Sequence, residues 1–200
     1  MIKIGLTGGI ATGKSTVVNF LEQKKIAIID CDKLAKQAVA LNKSAYFEII
    51  AYFGTDILQQ NKEINRGKLG SIVFNDKQKR KVLEQIVHKQ VLRDVNELLL
   101  TYNNEQIVVI DIPLLFEAKL EYLVDEIWVV YCTQNQQLTR LMQRNNYSKT
   151  EAKARINAQM SLDLKKQQAD IVLDNSSTIA ELLVQVETRL TELSKNGEIS

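Results

Sequence analysis

Gly8, Gly13, Lys14 and Ser15 fall in the order G-x-x-x-x-G-K-S within the run Gly5–Thr16, GLTGGIATGKST. That spacing suits one task. A glycine-rich backbone approaches an anion closely and turns its N–H groups onto it, and the start of the next helix adds its positive end. Gly8, Gly9, Ala11, Thr12, Gly13 and Thr16 supply the backbone of this cradle, Lys14 reaches the β- and γ-phosphates of a nucleotide, and the Ser15 hydroxyl suits Mg²⁺. Further along the chain, Ile28-Ile29-Asp30-Cys31-Asp32 carries two carboxylates at the end of an apolar run. A carboxylate there can take the proton of an attacking hydroxyl or join a magnesium shell, directly or through water. Asp30 and Asp32 compete for these roles, and either is also a helix cap for the segment from Lys33. Ile107-Val108-Val109-Ile110-Asp111 ends in an aspartate of the kind that holds magnesium through water. Arg140 and Arg144 stand four residues apart on one helix face and can clamp phosphate oxygens, with Arg155 a weaker addition. Asn175, at the end of another apolar run, can read a base edge or simply make a turn.

The elements that must position these groups are legible from apolar patterning. Ile2–Leu6, Ile26–Ile29, Ile107–Ile110, Ile127–Tyr131 and Ile171–Leu173 are short Ile- and Val-rich runs without alternation, as strands covered on both faces are. Helical patterns separate them. The fold expected is α/β: a doubly wound, five-stranded parallel sheet of the P-loop NTPase kind, with a helical insertion and a helical lid. Ser15–Glu22 is the helix after the loop. Ile179, Leu182, Leu183, Val186, Leu190 and Leu193 form the apolar stripe of the last one, with Ser176, Ser177 or Thr178 as its cap. Residues 1–32 and 104–200 make up the expected core, with the lid at about 134–160 inside it. Residues 33–103 read as an almost wholly helical insertion: Lys33–Ala40, Ala45–Phe53, Arg66–Phe74 and Asp76–Tyr102. Because ligands of open α/β sheets gather beyond the carboxyl ends of the strands, an insertion leaving the second strand is suited to covering a substrate. Pro113 forces a turn after the third strand, and Leu115 and Phe116 beside it either line a pocket or pack the core.

Bulk properties narrow the function classes. A net charge of +2 with no block of five or six like charges gives no electrostatic footprint for nucleic acid. The longest apolar stretch, Ile127–Cys132, is far too short to cross a bilayer. Two distant cysteines make neither a disulfide framework nor a metal cluster, and a reducing cytoplasm is the simplest setting. His88, the single histidine, excludes a histidine-based metal site. No signal segment and no obligate protein partner are evident.

Taken in order, these segments resemble the dephospho-coenzyme A kinase family across nearly the whole chain. The match includes GLTGGIATGKST at Gly5–Thr16, IIDCDKLAKQ at Ile28–Gln37, INRGKLGSIVF at Ile64–Phe74, LEQIVH at Leu83–His88 and DIPLLFE at Asp111–Glu117. It continues through QLTRLMQR at Gln137–Arg144, RINAQ at Arg155–Gln159 and ADIVLDNS at Ala169–Ser176. The resemblance implies phosphorylation of the ribose 3′-hydroxyl of dephospho-coenzyme A by ATP with Mg²⁺, with Asp32 as base. It implies Asp32, Arg66, Pro113, Leu114, Leu115 and Glu117 as the substrate side, and Lys14, Arg140 and Arg144 as the groups that manage transferred charge. Two departures stand out: GIATGKS replaces the more usual GIGSGKS, and His88-Lys89 replaces His-Pro. The rival readings are another small-molecule, nucleoside or nucleotide kinase on the same scaffold, and a nucleotide-dependent switch. Against the switch, Asn42-Lys43-Ser44-Ala45 lacks the aspartate of a guanine-reading Asn-Lys-x-Asp.

Overall fold

β-branched residues packed on both faces make the sheet. In a computed structural model that describes residues 1–197, β1 (Ile2–Gly8), β2 (Ala27–Asp30), β3 (Ile107–Asp111), β4 (Glu126–Tyr131) and β5 (Ile171–Asp174) lie in the order β2-β3-β1-β4-β5. β1 runs parallel to both β3 and β4, and β4 parallel to β5, as the non-alternating runs predict. Ile4, Leu6, Val108, Val109, Ile110, Val129 and Val130 are completely buried. Helix α1 (Lys14–Gln23) turns Val17 and Leu21 onto the sheet, and α9 (Ile179–Gly197) adds Leu182, Val186, Leu190 and Leu193 to the same core. Ile179, read from sequence as the first residue of that stripe, is 58 % exposed: it sits in the first turn, before the helix reaches the core. Thr178 Oγ1 accepts from Glu181 N at 3.2 Å and is the cap.

Register carries the chemistry to one edge of the sheet. Leu6 lies opposite Asp111, Gly8 opposite Val130 and Tyr131 opposite Asp174. The aspartate that ends β3 and the asparagine after β5 are thus delivered to the carboxyl end where the glycine loop begins. Three helices follow β4: α6 (Gln134–Asn145), α7 (Lys149–Asn157) and α8 (Leu162–Gln167). The first two open with reciprocal capping boxes, Thr133 with Gln136 and Ser148 with Glu151, and Ser161 caps the third.

The chain divides into two compact units, residues 1–29 with 102–200, and residues 30–101. The second holds α2 (Cys31–Ala38), α3 (Ser44–Phe53), α4 (Arg66–Phe74) and α5 (Lys77–Thr101). Tyr46, Ile49, Ile57, Ile64 and Leu69 form its own core, with Leu83, Ile86 and Val87 packed against them. It is less uniformly helical than the sequence pattern predicts. Thr55–Ile57 is a 3-10 turn, and Leu58 bridges Ile64 in antiparallel fashion. Asn65 ends that excursion by capping α4, its side chain accepting from Lys68 N at 3.0 Å.

Candidate active site

Gly13 precedes α1 at φ 99°, in the left-handed region, and offers no side-chain cap. The N–H groups of Lys14 and Ser15, the first two of α1, are therefore left for an external acceptor, the usual state of an anion-binding helix start. Thr12 is buried, and its hydroxyl donates to Gly9 O at 3.0 Å, tightening the loop; Thr16 N closes onto Gly13 O at 2.9 Å. Ala11 adopts φ 60°. The departure from glycine at this position thus places a Cβ where glycine alone is unstrained.

Lys14 Nζ forms an ion pair with the Asp111 carboxylate, and both side chains are largely buried. Ser15 is exposed. Arg140 and Arg144 share with Ala11, Gly13, Ser15 and Gln143 the walls of a cleft of about 420 Å³. The structure therefore brings the loop, the Asp111 carboxylate and both arginines of α6 to one place. Arg140 Nη2 donates to Asn175 O at 3.0 Å, while its Nη1 is buried without a hydrogen-bond partner. Arg144 Nε reaches only Asn145 Oδ1, at 2.9 Å. Arg155 lies over the Tyr147 ring, 4.4 Å from its centroid, and so stabilises α7 locally. Burial pushes the Cys132 thiol up, and the neighbouring Arg140 guanidinium opposes that shift.

Asn175 is only 4 % exposed, and its amide is spent on the loop: Nδ2 donates to Thr12 O at 2.7 Å. Its Oδ1 is left buried and unpartnered, as is Ser176 Oγ next to it. Two acceptor oxygens and the Arg140 Nη1 donor thus await partners at the end of β5.

The turn after β3 is built inward. Leu115 and Phe116 are 0 % and 4 % exposed and pack the core, whereas Leu114 is 46 % exposed. Pro113 O accepts from Thr7 Oγ1 at 3.1 Å. The Glu117 carboxylate is engaged within the protein: it accepts from Met160 N at 2.9 Å and pairs with Lys165 Nζ at 2.9 Å. Lys165 itself is completely buried. Sequence patterning gave no hint of it, because a lysine on a short polar helix reads as solvated.

In the second unit, Asp30 settles one of the alternatives left open above: its Oδ1 accepts from Lys33 N at 2.9 Å and caps α2. Asp32 lies exposed in the first turn of α2. Arg66 is the first residue of α4 and donates through Nη2 to Lys36 O at 3.1 Å. His88 is half-buried on α5 with Nε2 unpartnered.

The donor set suits magnesium. Among the described residues no cluster of three or more His, Cys, Asp or Glu side chains forms a self-sufficient metal site. A hydroxyl, a carboxylate and the phosphates of a bound nucleotide are instead the hard oxygen ligands that Mg²⁺ takes while keeping several waters. No helix among the described residues is long and apolar enough to cross a membrane.

The model of the family described as dephospho-CoA kinase matches residues 2–181. The dephospho-CoA kinase of Carboxydothermus hydrogenoformans is 48 % identical over 189 residues, covering 94 % of this chain and 92 % of that protein. That of Listeria innocua is 46 % identical over 196 residues, covering 96 % and 98 %. Among solved structures, the dephospho-CoA kinase of Campylobacter jejuni is similar at a TM-score of 0.75 and 30 % identity, with 98 % of each chain covered.

Proposed function

The chain belongs to the dephospho-CoA kinase family, and from that premise we propose that it transfers the γ-phosphoryl of ATP to the ribose 3′-hydroxyl of dephospho-CoA, giving CoA and ADP. The observation that carries this reading is the glycine loop and uncapped start of α1, facing a cleft that Arg140 and Arg144 also line. Fold alone does not choose an acceptor; the family does.

The loop N–H groups and Lys14 hold the β- and γ-phosphate oxygens. Lys14 and Asp111, already paired, form a charge-matched floor on which an anionic ligand can compete for the ammonium. Ser15, with Asp111 acting through water, would hold Mg²⁺, which would supply positive charge to offset that of the phosphates. The P–O bond to ADP breaks as the 3′-oxygen bonds to phosphorus, and Asp32 takes the hydroxyl proton. Asp30, occupied in capping α2, supports Asp32 as that base. Arg140 and Arg144 neutralise charge between donor and acceptor, and their helix excludes water that would otherwise hydrolyse ATP. Gly8, Gly9, Ala11, Thr12, Gly13 and Thr16 complete the ATP contacts, and the unpartnered atoms around Asn175 suit the edge of the base. Arg66, Pro113 and Leu114 are assigned to the acceptor, with Leu115 and Glu117 holding their turn in place. Residues 33–103 are the acceptor-binding insertion within a core of 1–32 and 104–200, and the reaction is assigned to the cytoplasm.

The test is ATP consumption by purified protein with dephospho-CoA, with mass analysis of the product and a panel of nucleosides and nucleotides as competing acceptors. A product heavier by one phosphoryl group, formed from dephospho-CoA in preference to the panel, is expected. Faster turnover of a nucleoside or nucleotide would overturn the acceptor.

A further inference from the structure

Three carbonyls of the phosphate loop, at alternate residues, each accept a hydrogen bond from a buried side chain outside the glycine motif. Gly8 O accepts from Lys165 Nζ at 3.4 Å, Ile10 O from Gln137 Nε2 at 2.8 Å and Thr12 O from Asn175 Nδ2 at 2.7 Å. The donors come from α8, α6 and the end of β5, and are 0 %, 3 % and 4 % exposed. In a trans peptide the C=O of one residue and the N–H of the next point to opposite sides. Holding back the carbonyls of 8, 10 and 12 therefore turns the N–H groups of Gly9, Ala11 and Gly13 the other way. Ala11 and Gly13 line the cleft.

The glycines fit the same device. A Cβ at Gly9 would lie 2.6 Å from Gln137 Nε2, and one at Gly13 would collide with Asn175 Nδ2. Their bare Cα atoms thus clear the path by which these amides reach the loop. Gln159 Oε1 accepts from Ile10 N at 2.9 Å, so the polar groups of residue 10 are both engaged on this side. Lys165 also donates to Pro113 O at 3.2 Å and pairs with Glu117. A completely buried ammonium is costly unless all its bonds are made, and an apolar residue would fill the same space; its use here is to fix acceptors.

We propose that Gln137 and Lys165 are positioning residues for nucleotide binding: with Asn175 they hold the phosphate loop in its anion-ready shape before the nucleotide arrives. This rests on the ATP-binding part of the reading above and not on the acceptor. Without these donors the unliganded loop samples other shapes, and nucleotide must select the competent fraction. Once bound, the phosphates hold the loop themselves.

The test uses the full chain as Gln137→Met, which keeps shape and removes the donor, and as Lys165→Met with Glu117→Gln, which leaves no unpaired buried charge. Calorimetry with the magnesium complex of a non-hydrolysable ATP analogue gives Kd. Turnover gives kcat and the KM for ATP, and the unliganded Tm gives fold stability. Each variant is expected to raise Kd and KM for ATP about tenfold, and in Gln137→Met, which leaves the acceptor turn untouched, kcat at saturating ATP stays within about threefold. Wild-type Kd in variants that fold, with or without a lowered Tm, would overturn the proposal, as would a loss confined to kcat. Should the double variant fail to fold, Gln137→Met decides alone. A wild-type protein that binds the analogue but leaves dephospho-CoA unmodified would sink the acceptor assignment and not this one.

Discussion

At the scale of single residues, the chemistry-bearing side chains are the ones whose types cannot be explained by packing. The Lys14 ammonium and the Asp111 carboxylate, charged and largely buried, are stable there because each answers the other. Asp32 differs: it is exposed, with no packing role, while Asp30 two residues earlier caps a helix. Asp32→Asn is expected to lower kcat roughly 10²–10⁴-fold with analogue binding unchanged; steady-state kinetics beside calorimetry check this, and near-normal turnover would remove Asp32 as the base. Ala11 supplies a second residue-scale test. At φ 60° its Cβ is strained, so Ala11→Gly should stabilise the protein by about 1 kcal/mol, raising Tm by roughly 2–4 °C. An unchanged or lower Tm in thermal melts would mean that the left-handed conformation costs nothing at this position. The motif residues were readable because their spacing is local. Lys165, Gln137 and Gln159 were not: each earns its role from a partner more than a hundred residues away in the chain.

At the scale of elements, apolar patterning located all five strands, because a strand buried on both faces has no room for polar residues. It missed the 3-10 turn and bridge at 55–64, where Ile57 and Ile64 reach the core although no α-helix joins them. It also gave no sign of how β4 is tied to α9. Glu126 of β4 accepts from Arg189 of α9 and from Trp128 Nε1. Burial opposes the charge on Glu126, but these hydrogen bonds outweigh it and hold the carboxyl below the usual carboxylate range. A group with a lowered folded-state pKa stabilises above its unfolded value and loses that contribution as pH falls through the folded one. The tie should therefore be intact at neutral pH and weaken below about pH 4. Glu126→Gln is expected to lower stability at pH 7 and to flatten the acid limb of the stability profile, measured by circular dichroism in urea at a series of pH values. An unchanged acid limb would show that other carboxylates govern acid unfolding.

At the scale of the whole molecule, two units with separate cores give the chain two reporters. Trp128 is the single tryptophan and is completely buried in the unit that carries the phosphate loop, whereas circular dichroism sums helices from both. A ligand that binds only the folded state stabilises it by about 2.7 kcal/mol at one hundred times its Kd. Saturating Mg·ATP analogue should thus raise the Trp128 fluorescence transition by roughly 5–10 °C. No shift would show that the loop does not hold nucleotide, and the functional reading would fall with it. The amino-acid sequence by itself determined the phosphate motif, the parallel strands, the family, and, to within two residues at each end, the four helices read at 33–40, 45–53, 66–74 and 76–102. Each of these is written in short-range spacing, where neighbouring residues dictate local geometry. Only the tertiary structure decided which side chains stand behind the loop, that Glu117 is engaged by Lys165, and that Leu115 packs the core. Those outcomes depend on register and on helix packing, which bring together carbonyls and donors that no local pattern links.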